Sequence, residues 1–572
     1  MKVSYPVRMG LIGGGVVLYL GAVGMIERFS ERAIVTGVVR FNVVVMLAAF
    51  FFFAYFAYRR ASQERASSLG VGLTAGGVAG FTTGLVLVIL RLLIDAGVDV
   101  RSMFLRISPA FFDAFDFGTN PYIGLVILTG MGLAMGAAAG IYRRLGPTAR
   151  TVAITVVTSI LILGVGARLF IPMLQGLGIP TSWMYRSDGL TPVGAVVVLV
   201  LAVALRLYLR RKGGFKKALI EIPGVKQSNL RPILLALAII ALAAAPWVGK
   251  QFVADVLGTV GLYILLGLGL NIVVGYAGLL DLGYVAFFAV GAYTVALLTA
   301  RSSSLVGATI FELAPEPLTN FWIAMPITIV VAVVIGVLIG APVLRLRGDY
   351  LAIVTLGFGE IIRVLILSDW LKPIFGGPQG ITEVADVPAF GADTNDPRVL
   401  YYLIAGFALI AFFIAGRLKD SRVGRAWAAM REDEDIAEGM GVSVIKYKLL
   451  AFAMGAAVGC LGGAFFPAKL GVANPGSFTL IVSINVLAVV VLGGMGSIPG
   501  VVVGAAILVG LPELLREFGE YRLHIYGAIL VMIMILKPEG LIPDKRRALE
   551  LHAEEPHESR GVLTAAATEG VQ

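Results

Sequence analysis

Long apolar runs separated by short polar segments make up most of this 572-residue chain. A run of about 20 apolar residues is long enough to cross the hydrocarbon core of a bilayer as an α-helix. The pattern predicts an all-α, polytopic helical membrane protein, in which short Gly-rich runs are candidates for re-entrant or broken helices. About sixteen candidate spans fall near residues 9–26, 41–58, 70–94, 122–142, 151–174, 191–209, 233–248, 253–275, 276–299, 322–344, 350–368, 400–416, 448–467, 479–497, 500–517 and 523–537.

The composition agrees with this class of protein. Hydrophobic residues make up 58% of the chain and charged residues only 14%, whereas soluble globular proteins carry roughly 25% charged residues. That balance excludes an ordinary water-soluble enzyme. The single cysteine, Cys460, excludes a disulfide framework or a cysteine metal site within one chain. Three scattered histidines, His524, His552 and His557, do not suggest a metal cluster.

Lys and Arg residues are distributed unequally between alternate loops. The loops 95–120, 301–320 and 369–399 are acidic or near neutral. The basic clusters fall on the opposite side, within residues 59–65, 143–150, 206–231, 345–347, 417–447 and 545–547. The positive-inside rule then places both termini in the cytoplasm. The formal charge of +10 therefore reflects membrane topology and does not indicate a nucleic-acid partner.

A basic linker separates two membrane parts. Residues 1–209 form an N-terminal extension of about six predicted spans, and residues 232–543 form the second part. The linker 210–231 is interpreted as a topology anchor in preference to a patch that binds anionic lipid. The tail 544–572 is charged and rich in Ala and Glu, and we expect it to be disordered.

Motifs of catalysis are absent from the sequence. It contains no G-x-x-x-x-G-K-[ST] phosphate loop, so the chain does not bind ATP in the usual P-loop way. It also lacks the G-x-S-x-G nucleophile elbow and the H-E-x-x-H zinc helix. We therefore expect no catalytic, cofactor-binding or metal-binding residues in this chain.

A few polar residues interrupt the apolar spans, where contact with lipid is expensive. Glu360 and Arg363 share one helical face, either as a gate or substrate contact or as a structural ion pair. Asn271 and Asp281 flank a Gly-rich stretch, where a broken helix would aim backbone groups at a polar solute. The alternative there is close packing, with Asp281 capping the second helix. Asn485 is a weaker candidate, and all five are candidate residues of a translocation path.

The segment 417–447 differs from the other loops. An apolar stripe at approximately helical spacing is formed by Ala426, Trp427, Met430, Ile436, Ala437 and Met440. Charges of both signs surround it, and Gly439 and Gly441 can end the helix. A short amphipathic helix held between two spans suits docking of a soluble partner. The alternative is a helix on the membrane surface, but the four acids Glu432–Asp435 would be repelled by anionic lipid.

Several motifs follow one another along the second part of the chain. They are GYAGLLDLGYVAFFAVGAY at 275–293, LRLRGDYLAIVTLGFGEI at 344–361, GGPQGI at 376–381, GRAWAAMREDED at 424–435, MGVSVIKYKLL at 440–450, VLGGMGS at 491–497 and KPEGL at 537–541. In this order they resemble the M-type permease subunit of branched-chain amino acid ABC importers. One such string is unspecific, whereas the ordered series is specific to the family, and the resemblance covers the part from about 230 to 543, more than half of the chain.

The resemblance implies a bacterial inner-membrane importer with several partners. These are an H-type permease subunit, two cytoplasmic ATP-binding subunits, and an extracytoplasmic substrate-binding protein that delivers leucine, isoleucine, valine or a related solute. ATP would be bound by the partners, with no cofactor in this chain. The resemblance also implies an ABC permease domain at 232–543. It places an ATPase-coupling helix at 425–441, with the candidate contact residues Arg425, Trp427, Met430, Arg431, Glu432, Asp433, Glu434, Asp435, Glu438 and Gly441.

Two features depart from the family pattern. The N-terminal extension is much longer than in these permeases, and Asp281 lies where relatives often carry an uncharged residue. Because related permeases also serve amides, urea and other small solutes, the cargo stays open. The alternative function is a self-sufficient ion-coupled secondary transporter. That class ordinarily needs more intramembrane ionisable residues than Asp281, Glu360 and Arg363.

Overall fold

The computed structural model describes residues 4–61, 68–98, 107–211, 240–300, 320–343, 346–388, 396–514 and 526–543, except positions 177, 187–188, 241, 347, 386, 528–529, 532, 534–536 and 538. The chain divides into two compact units, unit 1 (Met1–Ala244) and unit 2 (Ala245–Gln572). Nearly all of the predicted linker and the whole predicted tail lie outside the described residues, as do the three histidines and parts of the predicted spans 233–248 and 523–537.

Unit 1 consists mainly of long apolar helices. They are α1 (Tyr5–Ala22), α2 (Met25–Ser30), α3 (Phe41–Ala61), α4 (Ser68–Asp95), α5 (Pro109–Asp116), α6 (Pro121–Arg144), α7 (Pro147–Val165), α8 (Ala167–Gly176) and α9 (Pro192–Arg211). Four short strands, β1 (Ala33–Val35), β2 (Val39–Arg40), β3 (Tyr185–Arg186) and β4 (Gly189–Leu190), form one sheet in the order β2-β1-β4-β3. Strands β1 and β4 are parallel, and the other two pairs are antiparallel.

Helices α4 and α6 pack closely because glycines face each other along their contact. A Cβ on Gly76 would lie 2.1 Å from the Gly132 carbonyl oxygen, and one on Gly136 would lie 2.1 Å from that of Gly72. Membrane helices commonly approach each other through small residues of this kind. Aromatic side chains fill the neighbouring core of unit 1, among them Phe50, Phe111 and Phe115.

Unit 2 contains the remaining elements. Its helices are α10 (Lys250–Leu270), α11 (Val285–Thr299), α12 (Phe321–Val343), α13 (Asp349–Leu367), α14 (Lys372–Phe375), α15 (Pro397–Asp420), α16 (Arg422–Glu432), α17 (Glu434–Gly439), α18 (Val444–Leu470), α19 (Leu480–Gly493), α20 (Ile498–Ala505) and α21 (Leu511–Leu514). Two π-helical turns, Asn271–Tyr276 and Ala506–Gly510, follow α10 and α20. Strands β5 (Ile381–Thr382) and β6 (Val472–Ala473) pair antiparallel.

Helices α10 and α18 form the centre of unit 2. About three quarters of the residues in the apolar stretch of each of these helices are buried, 78% for Gln251–Tyr276 and 72% for Val444–Leu470. In the other long candidate spans of this unit only 28–39% are buried. Close backbone contacts join α18 to α11, since a Cβ on Gly291 would lie 2.3 Å from the Cys460 carbonyl oxygen. The outer helices therefore keep large apolar faces for lipid or for another protein.

The helical membrane architecture is confirmed, but the prediction of about sixteen spans is not. Among the described residues, ten helices are long and apolar enough to cross a membrane. Three shorter apolar helices are Pro192–Tyr208, Val285–Thr299 and Ile498–Glu513. The predicted span 276–299 is not a single helix, because its first nine residues belong to a break that is described below.

Candidate functional site

A break in a helix lies within unit 2, between α10 and α11. Helix α10 passes into the π-helical turn Asn271–Tyr276, the chain then becomes irregular, and α11 begins only at Val285. Gly278 has φ +73°, a backbone conformation that favours glycine. Gly275, Gly278 and Gly283 lie in the Gly-rich stretch for which the sequence left a broken helix and close packing open, and the structure contains the break.

The side chain of Asn271 holds the first half of the break. It is fully buried, and its Oδ1 accepts a hydrogen bond from the Gly496 backbone N–H at 2.8 Å. A Cβ on Gly275 would lie 2.2 Å from that oxygen, so glycine leaves the space that the amide occupies. Lys419 also contacts Gly496: its Nζ donates a hydrogen bond to the Gly496 carbonyl oxygen at 3.2 Å.

Asp281 holds the second half of the break. Its carboxylate is buried, and Oδ1 accepts a hydrogen bond from the Gly283 N–H at 2.9 Å, within the break. Asp281 does not cap α11, because the N-cap of that helix is Tyr284, which makes no side-chain cap hydrogen bond. Backbone groups freed at membrane depth need such partners, because the bilayer core offers no water. Three further hydrogen bonds join the break to α13, α18 and α19: Leu282 N to Thr355 Oγ1 (3.1 Å), Tyr284 Oη to the Gly455 carbonyl (2.8 Å) and Val285 N to Ser483 Oγ (2.9 Å).

The segment expected to contain one docking helix contains two, α16 and α17. Asp433 separates them: its backbone is extended, with φ −157°, and its Oδ1 accepts hydrogen bonds from the N–H groups of Asp435 (2.9 Å) and Ile436 (3.0 Å). An aspartate in this N-cap position starts a new helix. Gly441 follows the second helix with φ +89°. Residues 421–441 are called the α16–α17 segment below.

Two anchors fix the α16–α17 segment to α18. Trp427 is fully buried, and its Nε1 donates to the Tyr447 carbonyl at 2.8 Å. Lys448 and Glu434 form an ion pair with Nζ and Oε2 2.8 Å apart, and their side chains are only 3% and 20% exposed. Met430 is buried beside them in the core of unit 2. The segment is therefore attached to the membrane helices through both of its helices.

Arg431 connects the α16–α17 segment to the helix break. Its Nη1 donates to the Gly275 carbonyl at 2.9 Å, across 156 positions of sequence. A Cβ on Gly278 would lie 2.7 Å from Arg431 Cγ, so the stem of the arginine lies directly against the backbone of the break. A displacement of α16 must therefore either move the break or lose this hydrogen bond.

Like Arg431, the remaining predicted contact residues of this segment are exposed. These are Arg425, Glu432, Asp433, Asp435, Glu438 and Gly441. Two large apolar side chains stand among them, Ile436 at 63% and Met440 at 82% exposure. Exposed apolar side chains surrounded by charges of both signs are typical of a protein-interaction surface.

An ion pair lies on the outer face of α13. Arg363 Nε donates to both carboxylate oxygens of Glu360, at 3.0 and 3.1 Å, as the spacing of three residues predicted. The two side chains are 31% and 45% exposed, so the pair points out of unit 2. Its helix carries the candidate span Tyr350–Leu367. Asn485, which is half-buried, lies on α19, a helix that contacts α13.

Four side chains of the site were missed by the sequence analysis: Lys448, Thr355, Ser483 and Lys419. Lys448 could have been recognised from the sequence, because a charged residue at the start of an apolar span is costly unless it is paired. Thr355, Ser483 and Lys419 could not, since their hydrogen-bond partners are backbone groups far away in sequence. Within the described ranges, no group of three or more His, Cys, Asp or Glu side chains could hold a metal ion.

The second part of the chain is similar to known transport proteins. A sequence model of the family described as the permease component of branched-chain amino acid transport systems matches residues 252–536. Over 354 residues the chain is 40% identical to the high-affinity branched-chain amino acid transport system permease protein LivM of Escherichia coli K12. That match covers 58% of this chain and 79% of the relative.

Two further relatives extend the comparison. The probable branched-chain amino acid transport permease protein LivM of Methanocaldococcus jannaschii is 26% identical over 320 residues, which cover 50% of this chain and 91% of the relative. The LivH permease protein of Escherichia coli K12 is 30% identical over 156 residues, which cover 27% of this chain and 49% of LivH. No solved structure matches the chain. The helix break and the α16–α17 segment lie within the matched residues 252–536, and unit 1 lies outside them.

Proposed function

Because the chain belongs to the family of branched-chain amino acid transport permeases, we propose that it forms half of the translocation path for leucine, isoleucine, valine or a related small polar solute. The chain is the multi-pass membrane permease of an ATP-driven ABC importer, a transport subunit and not an enzyme. The other half of the path belongs to an H-type permease, a partner supported by the partial similarity to LivH.

The partly exposed ion pair of α13 carries this proposal. A charged side chain at the middle of a membrane helix costs about 3 kcal/mol on insertion scales when it meets lipid. Glu360 and Arg363 point out of unit 2 from a membrane-spanning helix. Their face is therefore covered in the membrane by water or by another protein. Both coverings fit a path that runs along α13 and α19, past Glu360, Arg363 and Asn485, against the partner permease.

Asn271 and Asp281 belong to the same path in a different way. Both side chains are buried and make hydrogen bonds within the break. They shape the path by holding the irregular backbone between α10 and α11 behind α13. Transporters use a discontinuous helix to place backbone groups near a solute. This break begins at the end of the candidate span Gln251–Tyr276, next to Arg431 of the α16–α17 segment.

The α16–α17 segment is the contact surface for the two ATP-binding subunits. Its exposed charges and the apolar side chains of Ile436 and Met440 offer a docking surface. The chain lacks a phosphate loop, so ATP is bound by those partners and no cofactor is needed here.

The segment then faces the cytoplasm, as do both termini by the positive-inside rule. The importer lies in a bacterial inner membrane, where an extracytoplasmic binding protein delivers the solute.

The contacts of the segment provide a route for motion. Closure of the ATP-binding subunits pushes on the exposed side chains of α16 and α17. Arg431 passes the displacement to Gly275 in the break, and the Lys448–Glu434 pair passes it to α18. Rigid elements joined by such contacts move the path between outward-open and inward-open states.

Gentle purification of this chain from its own membranes tests the proposed function. We expect a second, shorter permease and ATPases with phosphate loops to co-purify, identified by mass spectrometry. Binding of the co-purified or genomically adjacent solute-binding protein to a panel of amino acids, amides and urea then identifies the cargo. A chain that purifies alone and moves solute with an ion gradient, insensitive to ATP, would establish the secondary transporter instead.

A further inference from the structure

A groove of about 700 Å³ runs along unit 1 between α3, α6 and α7. Its walls are mostly apolar and open outward, since Ile141, Ile154 and Val157 are 54%, 50% and 56% exposed. Phe51, Tyr55, Tyr142, Leu145 and Thr158 also line the groove. The helices that form it contain the candidate spans Phe41–Tyr58, Pro121–Arg144 and Pro147–Val165, so the groove lies at membrane depth.

Packed aromatic rings form one wall of the groove. Tyr55 stacks on Phe51 with ring centroids 6.3 Å apart, and Tyr142 meets both rings edge-on at 6.0 and 5.8 Å. On the opposite wall the Thr158 hydroxyl donates to the Ile154 carbonyl of its own helix at 2.7 Å. The hydroxyl is therefore satisfied internally, and the walls present apolar surface.

One end of the groove is cationic. Arg143 and Arg144 are the last residues of α6, next to the lining residue Leu145. Arg150 lies in the first turn of the facing helix α7: its Nε donates to the Tyr142 carbonyl at 3.0 Å, and its guanidinium lies over the Tyr142 ring, 5.8 Å from the centroid. The N-cap of α7 is Gly146, which has no side chain to cap the first-turn amides. The N-terminal end of α7 thus adds partial positive charge.

We propose that this groove binds an anionic phospholipid, with an acyl chain against the apolar walls and the phosphate at the arginine end. The distribution of Lys and Arg assigns that end to the cytoplasmic leaflet, which holds anionic lipids. Basic pockets between membrane helices bind such headgroups. A transmembrane helix is a poorer occupant, because helix contacts rely on small residues, whereas Ile141, Ile154 and Val157 project from this surface.

The test compares lipid retention by the purified, assembled complex in native mass spectrometry. The double substitution Arg143→Gln/Arg144→Gln removes charge at the headgroup end, and Val157→Trp fills the groove. Val196→Trp is the matched control, since Val196 lies on α9 outside the groove lining and is 60% exposed. We expect wild type and Val196→Trp to retain phosphatidylglycerol, and the other two variants to retain at least fivefold less.

A second measurement uses wild-type protein alone, so it does not depend on the folding of variants. Added phosphatidylglycerol should raise the Tm by several degrees more than phosphatidylcholine, because only the former carries net negative charge. Equal shifts for the two lipids, or equal retention by all four proteins, would overturn the proposal. A cysteine at Ile154 that crosslinks efficiently to another polypeptide would also overturn it, in favour of a helix as occupant.

Discussion

Arg431 links the surface proposed to meet the ATP-binding subunits with the helix break in the membrane part. Its guanidinium donates to the Gly275 carbonyl, and its stem covers Gly278. A charge-assisted hydrogen bond of this kind contributes about 1.5–3 kcal/mol. Trp427 and Met430 are buried anchors, whereas Arg431 reaches across to a different part of the chain. At the residue scale, we therefore expect coupling to depend most on Arg431.

Replacing Arg431 should uncouple transport from ATP hydrolysis. In Arg431→Gln the charge-assisted bond to Gly275 is lost, and we expect about tenfold less solute transported per ATP hydrolysed, which corresponds to about 1.4 kcal/mol. Arg431→Lys, which keeps a cationic donor, should recover part of the ratio. Lys446→Gln is the control, because Lys446 is an exposed cation on α18 and is not one of the predicted contact residues.

The measurement is uptake and ATP hydrolysis by the same reconstituted importer. A variant whose hydrolysis continues while uptake falls supports the role of Arg431 in transmission. An unchanged ratio of solute to ATP in Arg431→Gln would remove that role. Loss of both activities together with loss of the ATP-binding subunits would instead assign Arg431 to docking.

The Lys448–Glu434 pair gives a second prediction at this scale. Lys448 is almost fully buried, and Lys448→Met removes its 2.8 Å ion pair with Glu434. Breaking a buried ion pair from one side commonly costs about 3–5 kcal/mol. We expect the Tm of the purified complex to fall by several degrees in Lys448→Met, and the double variant Lys448→Met/Glu434→Gln to recover part of it. Additive losses in the double variant would show that the two side chains do not interact energetically.

At the scale of elements, the break between α10 and α11 depends on close backbone packing. Gly283 is the tightest point: a Cβ there would lie 1.8 Å from the Thr355 carbonyl oxygen of α13. Because the obstacle is backbone rather than a flexible side chain, one of the two elements would have to move. The break, α13 and the outer ion pair of α13 are thus mechanically connected.

Alanine substitutions test this packing directly. Gly283→Ala should lower both the Tm and the uptake rate, with uptake falling at least fivefold. Gly357→Ala is a matched control on α13, since a Cβ at Gly357 meets no atom within 4 Å. The two variants are compared by thermal unfolding and by uptake in membranes with equal amounts of permease. Equal behaviour of the two would contradict the close contact of the break with α13.

Much of the architecture at this scale could be predicted from sequence, and the reasons are physical. Apolar runs indicate spans, and Gly275, Gly278 and Gly283 indicate a break, because both effects are local. The division into α16 and α17 was missed because Asp433, one of four consecutive acids, acts as an N-cap only in the folded chain. The Arg431–Gly275 contact joins positions 156 apart, so no local pattern contains it.

For the whole molecule, the ion pair on α13 predicts where the partner permease lies. Val364 follows Arg363 on the same outer side of α13 and is 54% exposed, whereas Val330 on α12 is 61% exposed. In a Cys460→Ala background, a cysteine at Val364 should crosslink to the H-type permease with a short bifunctional reagent. A cysteine at Val330 is the comparison and should give little of this product. Crosslinking at Val330 in preference to Val364 would place the partner, and with it the path, on another face.

Uptake of labelled leucine into proteoliposomes that contain the complete importer, with ATP enclosed and binding protein outside, tests the central claim most directly. The account predicts uptake that requires ATP, is insensitive to ionophores, and falls at least tenfold when Glu432–Asp435 are replaced by alanines in complexes that still purify with the permease. The fall is expected because these acids lie on the α16–α17 segment. Undiminished ATP-coupled uptake in that variant, or uptake that persists without ATP and collapses with an ionophore, would contradict the account.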